Sequence, residues 1–147
     1  MTYGKQVQEE LRPHARALRQ MIPNVYKGFA ALHDAPLVDG ALDTKTKELI
    51  ALAIAIRSEC DGCIAAHAHS AAHHGASLDE AAEALGVTFL MNGGPATIYG
   101  PRAYAAFAEL YAELTGAVSA LAADSVADNG SGHSEHGHSH HQRPEST

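Results

Sequence analysis

Apolar residues recur along this chain at helical rather than strand spacing, in segments of one to five turns. From Lys5 to Met21 the pattern is polar-amphipathic, with Val7, Leu11, Leu18 and Met21 as its apolar members. Pro13 is expected to break that segment or to begin a new helical turn. Asn24 to His33 predicts a short helix with Val25, Phe29 and Leu32 on one face, and Pro36, Asp39 and Gly40 then punctuate a loop. Asp43 or Thr44 can cap the next helix, which runs to about Ser58. Its centre, Leu49 to Ile56, is apolar on every face and predicts the central buried helix. The following helix starts near Cys60 and ends at Gly75, a good C-terminal stop. Ser77 and Glu80 have capping-box spacing and open a helix to about Asn92, where Gly93 and Gly94 break it. Pro95 suits the first position of a segment extending to about Leu114.

This pattern divides the chain into a helical domain over residues 1–115, a frayed helix or linker over 116–128, and a tail over 129–147. The tail contains no apolar residue, so it cannot bury enough surface to offset its ordering entropy and is expected to be disordered. Composition agrees with an all-α fold. Of 147 residues, 29 are alanine, which loses no side-chain entropy in a helix. Apolar residues reach 46% and charged residues only 18%, which suits helix faces packed between subunits.

Charge narrows the function classes. The net charge is −7, and neither the helical domain nor the remainder carries a basic stripe, which speaks against nucleic acid or an anionic membrane. The longest apolar run is too short to span a bilayer, and no signal segment opens the chain. It reads as soluble and cytoplasmic, where a close pair of cysteines is redox-active or metal-binding more often than a structural staple.

Those two cysteines carry the chemistry. Cys60 and Cys63 are three residues apart and His67 is four beyond, so all three share one helical face. The pair sits at the start of its helix, where unpaired N–H groups and the helix dipole favour a thiolate; Glu59 and Asp61 oppose that shift if they point inward. If the two flanking helices form an antiparallel hairpin turning near Glu59, Glu48 falls beside Ser70 and within one turn of His67. A carboxylate in the apolar centre of a helix needs a partner, because unpaired burial is costly. Glu48, His67 and Cys63 then form a proton relay, in which the carboxylate sets the imidazole tautomer and the imidazole accepts the thiol proton.

Glu48, the eleven-residue gap, Cys60-x-x-Cys63 and His67 resemble the core motif of the alkylhydroperoxidase D-like branch of the carboxymuconolactone decarboxylase superfamily. Leu90 to Ala96 resembles the family's helix break. The resemblance covers roughly Leu37 to Leu114. It implies an all-helical bundle, with the cysteine pair on an antiparallel helical hairpin, assembling as a homo-trimer or homo-hexamer. It also implies a thiol peroxidase that needs no cofactor, with a hydroperoxide substrate and a dithiol protein or small thiol as reductant. Carried over, Cys63 attacks the peroxide, Cys60 resolves the product to a disulfide, and Glu48 and His67 form the relay. Position in the helix would instead make Cys60 the more acidic thiol; the fourfold spacing of His67 from Cys63 favours the family assignment. One departure is Gly62, where the best-known peroxidases of the family carry a histidine.

Other readings stay in view. Dithiol–disulfide exchange without peroxide reduction uses the same pair. A zinc site could draw on Cys60, Cys63 and His67, with His69 or another chain giving a fourth ligand. His69, His73 and His74 otherwise read as surface or interface histidines. Tyr104, Phe107 and Tyr111 read as a core or contact stripe, with Tyr99 upstream beside the glycine break. The tail, with His133, His136, His138, His140 and His141 within ten residues, is expected to bind nickel, zinc or copper, and a metal-binding or scaffold role through it is the rival of another class.

Overall fold

In the computed structural model the backbone is described for residues 3–129 and the side chains for residues 3–116. The helices are α1 (Lys5–Met21), α2 (Pro23–Asp34), α3 (Thr44–Arg57), α4 (Asp61–His73), α5 (Leu78–Asn92) and α6 (Ala96–Asn129), with a short 3-10 turn at Ala35–Leu37. There is no strand among the described residues, so the fold is all-α. No described helix is long and apolar enough to cross a membrane. The chain divides into two units, Met1–Thr115 and Gly116–Thr147. The first carries the core and the site.

Local chemistry accounts for the boundaries. Asp43 caps α3 by accepting a hydrogen bond from the Thr46 N–H. Ser77 and Glu80 close a full capping box on α5. At the end of α4, Gly75 takes a left-handed φ of 85°, and the N–H groups of Gly75 and Ala76 return to the carbonyls of Ala72 and Ala71. This is a Schellman ending. The end of α3 has the same wiring, with Glu59 N–H donating to the Ile56 carbonyl and Cys60 N–H to the Ala55 carbonyl. There the left-handed residue is Glu59, at φ 52°. A side chain in that conformation costs about 1–2 kcal/mol. The turn it makes is tight enough for Cys60 to serve at once as the N-cap of α4, its Sγ accepting from the Cys63 N–H at 3.2 Å.

The resulting α3–α4 hairpin is an extensive helix contact, and α5 also packs against α3. Leu52 and Ile56 pack on Ile64, Ala68, Ala71 and Ala72, with Leu85, Phe107 and Leu110 completing the core. Alanines on the facing side of α4 let the two helices approach closely. Phe107 is fully buried and its ring lies against Tyr111, whereas Tyr104 of the same stripe is half exposed.

Three expectations need correction. Pro13 neither breaks nor restarts α1, which runs through it. The bond it forfeits, to the carbonyl of Glu9, lies on an exposed helix where water can replace it. The last helix does not stop near Leu114 but continues to Asn129, because a single glycine, Gly116, costs a helix only about 1 kcal/mol. Finally, α3 is not buried all round. Ile50 and Ile54 remain 46% and 59% exposed, facing a groove of about 510 Å³ shared with Val87 and Met91 of α5. One layer of helices covers one side of α3, and among the described residues nothing lies over the groove on the other. Helices α1 and α2 bury no residue, and Val25, Phe29 and Leu32 stand exposed along one side of α2.

Candidate functional site

The site grows out of the α3–α4 hairpin. On α4, Ile64, Ala65, Ala68, Ala71 and Ala72 face the core. Cys63, His67 and Ser70 follow one another at helical spacing on the strip beside it. Glu48 of α3 faces that strip. It is only 2% exposed, and both of its oxygens are used. His67 Nδ1–H donates to Oε2 at 2.7 Å, and Ser70 Oγ–H donates to Oε1 at 2.6 Å. The hairpin arithmetic that puts Glu48 beside Ser70 holds to the residue.

An ionised carboxylate accepts only, so its bond at Nδ1 places the imidazole proton there and leaves Nε2 with the free lone pair. Two charge-assisted hydrogen bonds are what make a buried carboxylate tolerable. One turn before His67, Cys63 is exposed and joined to Cys60 in a disulfide, their Cα atoms 5.2 Å apart. A bond across three residues at the exposed start of a helix is open to attack by an external thiolate.

The acidic neighbour in the loop is neutralised. Asp61 does not point at the sulfurs unpaired but meets Arg102 of α6, with Nη1 at 3.2 and 3.4 Å from its two oxygens. The guanidinium also lies over the rings of Tyr99 at 4.8 Å and Tyr3 at 5.2 Å. Burial pulls the Arg102 pKa down as the largest single influence, yet the Asp61 charge and hydrogen bond, with the two tyrosines, outweigh it and raise the net value. Arg102 therefore stays a permanent cation over the cysteine loop.

Gly62 has a structural reason. A Cβ there would lie 3.2 Å from Leu11 Cδ1 of α1, so a larger residue would have to displace that leucine side chain. Gln8 of α1 pins this arrangement by donating to the Ala65 carbonyl at 3.1 Å.

Of the residues singled out in the sequence, Glu48, His67, Cys60 and Cys63 come together. His69 does not join them; it stacks on His73 along the exposed side of α4, while His74 donates back to the Ser70 carbonyl. Among the described residues no three His, Cys, Asp or Glu side chains gather to hold a metal ion. The tail histidines His133, His136, His138, His140 and His141 lie outside the described residues. Two participants escaped the sequence reading. Arg102 sits 39 residues beyond Cys63, and His33, at the end of α2, stacks its ring on His67. Neither has a fixed spacing to the C-x-x-C motif.

The family model described as Carboxymuconolactone decarboxylase family matches residues 23–109, which include Glu48, Cys60, Cys63, His67 and Arg102. The chain belongs to that family. The solved structures include a carboxymuconolactone decarboxylase family protein from Legionella pneumophila, in its apo form, at 37% identity and a TM-score of 0.69. That match covers 72% of this chain and 95% of the other. A protein of Cupriavidus necator described as uncharacterized is 36% identical over 103 residues, covering 70% of this chain and 91% of its own length. A Paracoccus denitrificans protein, described as uncharacterized protein 4 in the cox locus, is 38% identical over 82 residues. It is matched over 56% of this chain and 74% of its own length. Membership in the carboxymuconolactone decarboxylase family and a cysteine pair closed as a disulfide are consistent with redox chemistry of the alkylhydroperoxidase D-like kind.

Proposed function

We propose that this protein is a thiol-dependent peroxidase of the alkylhydroperoxidase D-like branch. One observation carries the reading: a buried carboxylate holds the imidazole of His67 at 2.7 Å, one turn from a cysteine pair closed as a disulfide. A histidine fixed in that way is arranged to take a proton from a neighbouring thiol.

In the proposed cycle His67, oriented by Glu48, accepts the Cys63 proton. The thiolate attacks the peroxide, an S–O bond forms as the O–O bond breaks, and the departing alkoxide takes up the proton as alcohol. Cys63 is left as a sulfenic acid. The Cys60 thiol condenses with it, forming the disulfide and releasing water. An external dithiol restores the pair by two exchange steps and is itself oxidised. Overall, one hydroperoxide and one dithiol give alcohol, water and a disulfide. The chemistry asks for no metal or organic cofactor.

Self-association belongs to the same proposal. The uncovered side of α3 and the apolar stripe of α2 expose large side chains, as do Met21 of α1 and Leu90 and Met91 of α5, and a trimer or hexamer would cover such surfaces.

The test is consumption of tert-butyl hydroperoxide by metal-free protein with excess dithiol. Turnover well above the dithiol background is expected. No turnover, with fast exchange against a small disulfide, would refute peroxidase activity in favour of a dithiol–disulfide oxidoreductase. That second reading has one observation in its favour. Between the cysteines stand Gly62, which has no side chain, and Asp61, whose carboxylate is paired with Arg102, so neither offers a proton to a departing oxygen.

A further inference from the structure

We propose that His33 is a positioning residue for His67: its ring, laid over the imidazole, fixes the plane in which His67 presents Nε2. The assignment rests on the reading of His67 as the base for the cysteine pair.

A histidine ring on a helix rotates broadly about its outer torsion. The Glu48 bond constrains one ring atom, at Nδ1, and a single hydrogen bond leaves the ring free to tilt about it. His67 is not fully enclosed, with 20% of its side chain exposed. Against it lies His33, with ring centroids 5.8 Å apart and planes only 15° from parallel. That separation is within the range of attractive offset stacking. The bond acts on the edge of the ring and the stack on its face, and together they leave one orientation.

The His33 ring is itself held. Its Nδ1 is 3.2 Å from Asp34 Oδ1, and the Phe29 ring, one turn earlier on α2, tilts against it at 6.2 Å. Core packing does not explain this placement, because α2 contributes no buried residue. Nor do the two imidazoles share a hydrogen bond: His33 Nδ1 lies against Asp34 and His67 Nδ1 against Glu48. The contact is therefore one of shape, and another flat ring would serve.

The experiment uses the full chain, reduced with dithiol and then freed of it. Alkylation of Cys63 by iodoacetamide at pH 7 is followed by peptide mass for wild type, His67→Ala, His33→Ala and His33→Phe. Ring nitrogen NMR of His67 is recorded on the same samples. His67→Ala is expected to react about a hundredfold more slowly, the loss of a general base. His33→Ala is expected to be slower by about three- to tenfold, the worth of one aromatic pair, with the His67 nitrogen shifts moving toward those of a freely averaging ring. His33→Phe is expected to restore both rate and shifts. A wild-type rate in His33→Ala, or a His33→Phe as slow as the alanine variant, would overturn the assignment. A slow His67→Ala beside an unaffected His33→Ala removes the His33 assignment alone. A wild-type rate in His67→Ala removes the base reading and the His33 assignment with it.

Discussion

Replacing Glu48 by glutamine isolates the charge from the shape. The amide is isosteric, and its oxygen can still accept from His67 Nδ1–H, while its NH₂ can donate to the Ser70 hydroxyl oxygen. Both bonds, at 2.7 and 2.6 Å, survive in neutral form. The change in stability should therefore be small, since a neutral amide is cheaper to bury than a carboxylate. Reactivity should respond differently. A hydrogen bond to a charged group is worth about 1.5–3 kcal/mol against about 0.5–1.5 for a neutral one. The difference at His67 matters when the imidazole takes the thiol proton and becomes cationic. A loss of about 1.4 kcal/mol at that point is a tenfold slower reaction. The direct Coulomb attraction lost with the charge adds to it, so a ten- to hundredfold fall, about what one positioned acid–base group supplies at the low end, is expected. The assay pairs the iodoacetamide rate of reduced Cys63 with a thermal melt. Glutamine at position 48 should melt close to wild type while reacting slowly. A rate within about twofold of wild type in a folded Glu48→Gln protein would refute the relay, because the charge would then contribute less than a weak hydrogen bond.

Further outcomes follow from other parts of the molecule. Cys63→Ser should abolish peroxide turnover, whereas Cys60→Ser should stop after one turnover with a sulfenic acid on Cys63 that dimedone labels; equal, full activity of both variants would exclude the cycle. Glu59→Gly should raise stability by up to about 1 kcal/mol, because glycine takes the left-handed turn without a Cβ penalty, and a denaturant midpoint that falls would show the turn is unstrained. Glu80 carries a pKa lowered chiefly by its hydrogen bond from Lys45 and then by the Ser77 N–H. A lowered native pKa means this stabilisation is complete above the usual carboxylate range, about pH 4–4.5, and is lost as pH falls below it. Acid unfolding of Glu80→Gln should therefore start from a lower stability at pH 7 and show a shallower decline below pH 4.

How much of this was legible in the sequence depends on the range of the interaction. Asp43, Ser77 with Glu80, and Gly75 act on backbone groups within a few residues, and each ends or begins its helix where expected. The Glu48–Ser70 register also follows from local facts, since one tight turn at Glu59 sets how two straight helices pair. Pro13 misled because its cost depends on what surrounds the helix, and an exposed helix can let water take the orphaned carbonyl. The apolar circumference of α3 misled for a related reason. Pattern tells which residues need covering but not whether the same chain does it. His33 and Arg102 were invisible because their partners, His67 and Asp61, lie 34 and 41 residues away on helices whose mutual packing no local rule sets.

Cys60 holds two offices, half of the redox pair and the residue that starts α4. The sulfur that accepts the Cys63 N–H is a divalent disulfide atom in one state and a thiol or thiolate in the other, and a thiolate is much the stronger acceptor. The folding of the first turn of α4 and the reduction of the pair are thus thermodynamically linked, each shifting the other by the same free energy. A capping difference of about 1 kcal/mol between the two states corresponds to about 20 mV in midpoint potential. Any partner that grips or frays the start of α4 thereby retunes the electron affinity of the sulfurs without touching them.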